Sequence, residues 1–254
     1  MSNFWKIVSF SLIMALVLPF DLPGQDAGYN LPDAGVWDVP YNPLQETKME
    51  QFASDEEVRA FIATQSASDC IIFTEDRLFS IRRDDVLPAH WLTDVENRVG
   101  RFTGQAQPGE FYVFQLAAYP LSKDISSLEV SFTDLKDSAG HLLPTANFRC
   151  LSLGGIGPDG QRFSKNISVK KGMLQVLWIG VEVPKDAGGN YTGTLIVRAR
   201  DIQPIPVSLS LTVAGSVLED CGYSQATRLA RLRWLDSTIG QSDENVIRPY
   251  TAVE

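Results

Sequence analysis

Histidine is almost missing from this chain of 254 residues: His90 and His141 are the two it has. They stand far apart, with no cysteine or carboxylate at ligand spacing, so neither reads as part of a histidine-based metal site. Cysteine is equally scarce. Cys70, Cys150 and Cys221 are an odd number and cannot all pair within the chain. They read as three small buried hydrophobes, or as one disulfide and a free thiol in an oxidising compartment. Positive charge is in deficit, with Lys and Arg at 22 against 31 Asp and Glu and a net charge of −9. That argues against non-specific nucleic-acid binding, which needs basic patches to displace counterions, and against an anionic membrane surface as partner. No repeat or low-complexity segment occurs, and no motif calls for a cofactor.

Long apolar runs are also lacking, with one exception. Lys6 precedes an almost wholly apolar Ile7–Phe20, shorter than the roughly 20 residues a spanning helix needs. The pattern fits a secretory signal peptide over residues 1–24 and hence a secreted or periplasmic protein, with no other membrane association. Residues 25–50 are rich in Pro, Gly, Asp and Asn and read as an extended arm.

What the chain does contain is strand pattern. Leu174–Val183 is apolar at nearly every position, as in a strand covered on both faces. A Pro-Lys-Asp-Ala-Gly-Gly-Asn turn follows. Tyr191–Ala199 is rich in residues that fit a pleated surface. In Val207–Val213, apolar residues alternate with Ser208, Ser210 and Thr212, giving one dry and one wet face. These three read as consecutive antiparallel strands. Upstream, Glu110–Tyr119 is apolar on both faces and should be central, Cys70–Thr74 is a compact strand, and Leu128–Phe132 alternates. Ser54 and Glu57 form a capping box opening one short helix that stops near Gln65. The charged stretch Asp76–Val86 reads as a solvated face, and Pro88–Trp91 as irregular. The expected fold is mainly β: an antiparallel, immunoglobulin-like sandwich over residues 51–215 with one short N-terminal helix. Residues 216–254 read as a connector, with a short amphipathic helix or an alternating strand at Ala226–Leu235.

Catalytic residues are not evident. Gly154-Gly155-Ile156-Gly157 has the glycines of a phosphate cradle, yet Pro158-Asp159-Gly160 makes a turn where the cradle needs a helix. Asp243-Glu244 is an acid pair in a polar stretch, without the cleft that general acid–base work requires. Sugar binding would need exposed aromatics. Trp37, Trp91, Trp178 and Trp234 are candidates; Trp178 sits in the most apolar strand and reads as core, and Trp91 and Trp234 are the two expected to contact carbohydrate.

Three stretches carry a family resemblance. Phe102–Tyr119 (FTGQAQPGEFYVFQLAAY), Gln175–Val197 (QVLWIGVEVPKDAGGNYTGTLIV) and Arg228–Thr251 (RLARLRWLDSTIGQSDENVIRPYT) resemble the N-terminal, non-catalytic part of bacterial glycoside hydrolases similar to family 123. The likeness runs from Glu46 to the C-terminus. It implies a module that supports a catalytic (β/α)₈ barrel on the same or a neighbouring chain. In that family the barrel cleaves β-linked N-acetylgalactosamine with assistance from the substrate's acetamido group and an Asp-Glu pair. The pair belongs to the barrel, and Asp243-Glu244 does not correspond to it. A barrel needs at least about 200 residues, and downstream of the sandwich the chain ends before one could begin. The resemblance thus implies a truncated or split gene, or a stand-alone sandwich, without catalytic, metal or cofactor residues of its own.

Overall fold

The computed structural model describes residues 47–65 and 68–238. The signal-peptide stretch, most of the arm, Trp37 and the Asp243-Glu244 pair lie outside the described residues.

Two sheets face each other. The first has the order β1-β3-β10-β7, from Cys70–Asp76 (β1), Phe111–Pro120 (β3), Gln175–Glu182 (β10) and Phe148–Cys150 (β7), all antiparallel. The second is built on Gly189–Arg198 (β11) and Ile205–Val213 (β12). Arg101–Ala106 (β2) flanks β12, and the short strands Glu129–Phe132 (β4), Leu135–Lys136 (β5) and Leu142–Leu143 (β6) lie on the β11 side. Gly154–Ile156 (β8) and Arg162–Ser164 (β9) form a separate hairpin.

β3 explains the layering. All ten of its residues are buried, because both faces are covered. Tyr112, Phe114, Leu116 and Ala118 point into the core between the sheets, where they meet residues such as Leu195, Val207, Leu209 and Leu211. The alternate residues point outward into three different environments. Ala117 and Tyr119 belong to an apolar cluster under the helices. Phe111 and Val113 lie under the C-terminal tail. Gln115, between them, spends its amide on the loop that follows β1. Its Nε2 donates to the Asp76 and Phe79 carbonyls at 3.0 Å each, and its Oε1 accepts from the Ile81 amide at 3.0 Å. A buried amide thus satisfied adds order at little desolvation cost.

The three strands of Leu174–Val213 exist, but not as one meander. β10 belongs to the first sheet, and the Val183–Gly188 turn carries the chain across to the second, where β11 and β12 pair from Gly189↔Val213 to Val197↔Ile205. The pattern difference fits this: β10 needs apolar residues on both faces, and β11 and β12 on one. One pair departs from the antiparallel expectation, since β2 runs parallel to β12 from Ser208↔Arg101 to Val213↔Ala106.

The capping box is present. The Glu57 amide donates to Ser54 Oγ at 3.3 Å, and the Ser54 amide to Glu57 Oε2 at 2.8 Å, opening helix α1, Asp55–Thr64. Pro88–Trp91 is not irregular: Ala89–Thr93 (α2) and Val95–Arg98 (α3) are short helices over β1. At the C-terminal end, the described residues beyond 215 pack on the first sheet. The Leu218 amide donates to the Pro108 carbonyl at 2.8 Å and the Phe111 amide to the Cys221 carbonyl at 3.1 Å, and Ala230 is buried on β3. Ala226–Leu235 is neither α-helix nor strand. It forms two 3-10 turns, Ala226–Arg228 and Ala230–Asp236, separated by Leu229 at φ 54°. A left-handed leucine breaks helix continuity, and its side chain packs into the tail cluster.

Candidate functional site

Three groups of charged residues sit on the outer face of the first sheet. Under the helices, Glu75 of β1 is fully buried. Its carboxylate accepts from Trp91 Nε1 at 3.0 Å, from Arg98 at 2.7 Å and from the Asp76 amide at 3.0 Å, and lies 3.0 Å from His90 Nε2. Burial pushes its pKa up, but the His90 and Trp91 hydrogen bonds and the Arg98 charge outweigh that and hold it below the usual carboxylate range. Trp91 was expected to contact sugar. Instead it is 0% exposed and stacked on Phe73 at 4.7 Å, with its N–H given to Glu75. It offers no face to a ligand. Beside it, α1 and α2 border an open groove of about 690 Å³ lined in part by Phe61, His90 and Val95.

Under the tail, the buried carboxylate is Glu110. Arg77 pairs with it, Arg228 reaches it at 2.9 Å, and the Gln107 amide donates to it at 2.8 Å. Arg77 also lies 4.5 Å over the Tyr112 ring, and the Tyr112 hydroxyl donates to Asp76 at 3.1 Å. Burial, with the Asp76 charge, pushes that phenol far above the ordinary tyrosine value. Asp76–Val86 is therefore only partly the solvated face it resembled, since Arg77 is an interior clamp while Arg82 and Arg83 are exposed.

The third group is a corner where the last 3-10 turn crosses the β8–β9 hairpin. Arg149 of β7 donates to Glu182 at 2.6 Å and to Asp236 at 3.1 Å, while its Nε is buried without an acceptor among the described residues. Arg162 of β9 donates to Asp236 at 2.7 Å, and Arg233 to Glu182 at 3.1 Å and to the Tyr223 hydroxyl at 3.0 Å. A cleft of about 500 Å³ opens here beside Phe148, Arg149 and Phe163. Gly155 permits the crossing. A Cβ there would lie 2.2 Å from the Leu235 carbonyl oxygen. The glycines read as a possible cradle are this hairpin, turned by Gly157–Gly160 with Gly160 at φ 73°.

Trp234, the second expected sugar contact, is 46% exposed at this corner, edge-on to Tyr223 at 5.7 Å and under Arg231 at 5.7 Å. Leu235 and Phe163 are similarly exposed, and Lys165 lies 5.8 Å over the Phe163 ring. Trp178 is half-buried beneath the tail, against Phe111 and Val113. Phe163 and Lys165 escaped the sequence reading because three residues of hairpin give too short a pattern to recognise. The Arg–Leu–Trp interleaving at residues 228–235 was the available signal.

The three cysteines are unpaired. Burial pushes the Cys70 thiol up to about 12 and the Cys150 thiol up to about 11, which suppresses the reactive thiolate.

No family model matches the chain, and no curated protein does. Solved structures similar to it include a family 123 glycoside hydrolase from Clostridium perfringens, with a TM-score of 0.44 and 16% identity, over 59% of this chain and 28% of that one. A PapD-like domain of human CEP192 aligns with a TM-score of 0.33 and 16% identity, over 46% of this chain and 82% of that one. The periplasmic chaperone SfaE aligns with a TM-score of 0.30 and 12% identity, over 47% and 57%.

Proposed function

We propose that this chain is a non-catalytic β-sandwich module of glycan breakdown, exported from the cell and working beside a catalytic barrel on the same or a neighbouring chain. One observation carries the non-catalytic part. Glu110, Glu182 and Asp236 line the clefts under the tail and at the corner, and two arginines hold each of them. A general acid must present its proton to a leaving oxygen, and a base must reach the group it deprotonates. Carboxylates spent on guanidinium donors are placed for structure. The glycan context rests on the resemblance of the β2–β3 and β10–β11 stretches to family 123-like hydrolases. A second reading, a stand-alone carbohydrate-binding sandwich, is favoured by the exposure of Trp234.

The test is turnover of aryl N-acetyl-β-galactosaminides by the purified full chain, beside its Glu110→Gln and Glu182→Gln variants. The expected result is no release above the buffer blank for any of them. Turnover that either substitution abolishes would overturn the reading and make the cleft lined by Glu110 and Glu182 an active site.

A further inference from the structure

Five cation–ring pairs occur among the described residues: Lys48 over Phe79, Arg77 over Tyr112, Arg83 over Phe52, Lys165 over Phe163 and Arg231 over Trp234. In the first three the cation also answers a carboxylate. Lys48 lies 3.8 Å from Glu75, Arg77 pairs with Glu110, and Arg83 grips Asp85 through two hydrogen bonds of 2.9 and 2.7 Å. Such pairs are internally neutralised. Lys165 and Arg231 have no carboxylate partner among the described residues, on a chain whose net charge is −9. Both lie on rings nearly half exposed, Phe163 at 43% and Trp234 at 46%.

One surface holds both pairs. Phe163 stands opposite Gly155 in the hairpin, the Leu235 carbonyl presses on Gly155, and Arg162 reaches Asp236 at 2.7 Å. Trp234, Leu235 and Asp236 are therefore laid across the hairpin that carries Phe163 and Lys165. Arg149, Arg162 and Arg233 lie behind them, paired with Glu182 and Asp236, which leaves Lys165 and Arg231 as the cations of this corner without an ion-pair partner among the described residues.

We propose that this corner binds an anionic glycan. The exposed rings of Phe163 and Trp234 take the apolar C–H faces of sugar residues, and Lys165 and Arg231 take carboxylate or sulfate groups carried on them. A ring supplies contact area at low entropic cost, and a cation held over it places charge beside that face. The charge complementarity runs against the chain's overall sign, so the attraction is local and should be lost when salt shortens its range. The proposal rests on the glycan reading above and names the chemistry that the module would recognise.

The experiment is calorimetric titration of the full chain with an oligogalacturonide, which carries carboxylates alone, and with a carrageenan oligosaccharide, which carries sulfates alone. A neutral galacto-oligosaccharide and poly-glutamate are the controls. Binding to at least one anionic sugar is expected, with the stronger probe identifying the anion. It should fall tenfold or more in Lys165→Ala, in Arg231→Ala and in Trp234→Ala, and likewise in 1 M salt, where the Debye length is about 3 Å. Trp234→Phe should retain most of it. Lys123→Ala, whose amine donates to the Asp201 carbonyl elsewhere on the surface, should bind as the parent does. Circular dichroism establishes that each variant is folded. Equal binding of the neutral sugar, or unchanged binding in Lys165→Ala and Arg231→Ala, overturns the proposal. Binding of poly-glutamate as tight as that of the sugars reassigns the corner to an acidic protein partner. If no sugar binds and no substrate turns over, this inference falls while the non-catalytic reading stands.

Discussion

The helix end and the tail end of the first sheet's outer face use the same ingredients to opposite effect. Each has a buried carboxylate, several cations and a tryptophan. Under the helices everything is turned inward: Glu75, Trp91 and Phe73 are each 0% exposed, and the tryptophan's single donor is spent on the carboxylate. At the tail, Glu110 is clamped in the same way, but Trp234, Leu235 and Phe163 remain in solvent with two cations beside them that no carboxylate among the described residues answers. A residue type therefore says little about its role. What separates structure from recognition is whether the side chain's area and hydrogen-bonding capacity have already been used.

The sharpest way to break this comparison is to delete each tryptophan. Trp91→Ala removes a fully buried side chain and leaves Glu75 short of a donor, so a loss of about 3–5 kcal/mol is expected in urea unfolding. Trp234→Ala should cost no more than about 1 kcal/mol, because nearly half of the ring is already in water. Similar losses from both would mean that the tail tryptophan is core after all.

Next in size is the joint that creates the corner. Gly155→Ala drives a methyl group into the Leu235 carbonyl, a clash that backbone must absorb. Overpacking of this kind costs about 1–3 kcal/mol. Hydrogen exchange should show the loss concentrated at residues 230–236 and the hairpin, with β1 and α1 protected as before. A uniform loss of protection would show that tail and sandwich unfold together.

The third contrast is acid sensitivity. The folded Glu75 carboxyl lies below the usual glutamate value of 4.5. Its contribution is present above that pH and is lost as pH falls through the depressed folded value. Unfolding followed from pH 7 downwards should show stability declining below about 4.5. Glu75→Gln should be less stable at neutral pH, where it forfeits the Arg98 and His90 interactions, and its acid limb should be flatter. An unchanged acid limb would remove Glu75 from the account of why the helix end stays shut.

Much of this was legible in the sequence, and the failures have physical causes. β3 announced itself as central because a strand covered on both faces has no polar alternation to show. α1 was marked by its capping box. The allocation of β10 and β11 to different sheets was not readable, since a turn of Pro, Gly and Asn specifies a reversal without saying which sheet receives the chain. Trp91 was misplaced because burial is a tertiary property: Pro88-Ala89-His90-Trp91 looks like loop until Phe73 and Glu75 are brought beneath it. The tail failed differently. Its apolar residues suit a helix, but Leu229 in the left-handed region divides it into 3-10 turns that hold Ala230 down and leave Trp234 out.

The smallest effect is the most telling for the corner. Lys165→Ala and Arg231→Ala should each leave stability within about 0.5 kcal/mol of the parent. Both side chains are exposed, and neither has an ion-pair partner among the described residues. Arg231 also gives one hydrogen bond of 3.0 Å to the Tyr223 carbonyl, whose oxygen water can serve in its place. Their attraction to the rings below is worth about 0.5–1 kcal/mol at an exposed site, and part of that returns as side-chain freedom. Arg98→Ala at the helix end should cost well over 1 kcal/mol, because it strips a buried carboxylate of a charged donor at 2.7 Å. Urea unfolding of the three variants side by side measures the difference. If Lys165 or Arg231 proved as costly to remove as Arg98, its charge would be bound within the fold and would not be available to an anionic ligand.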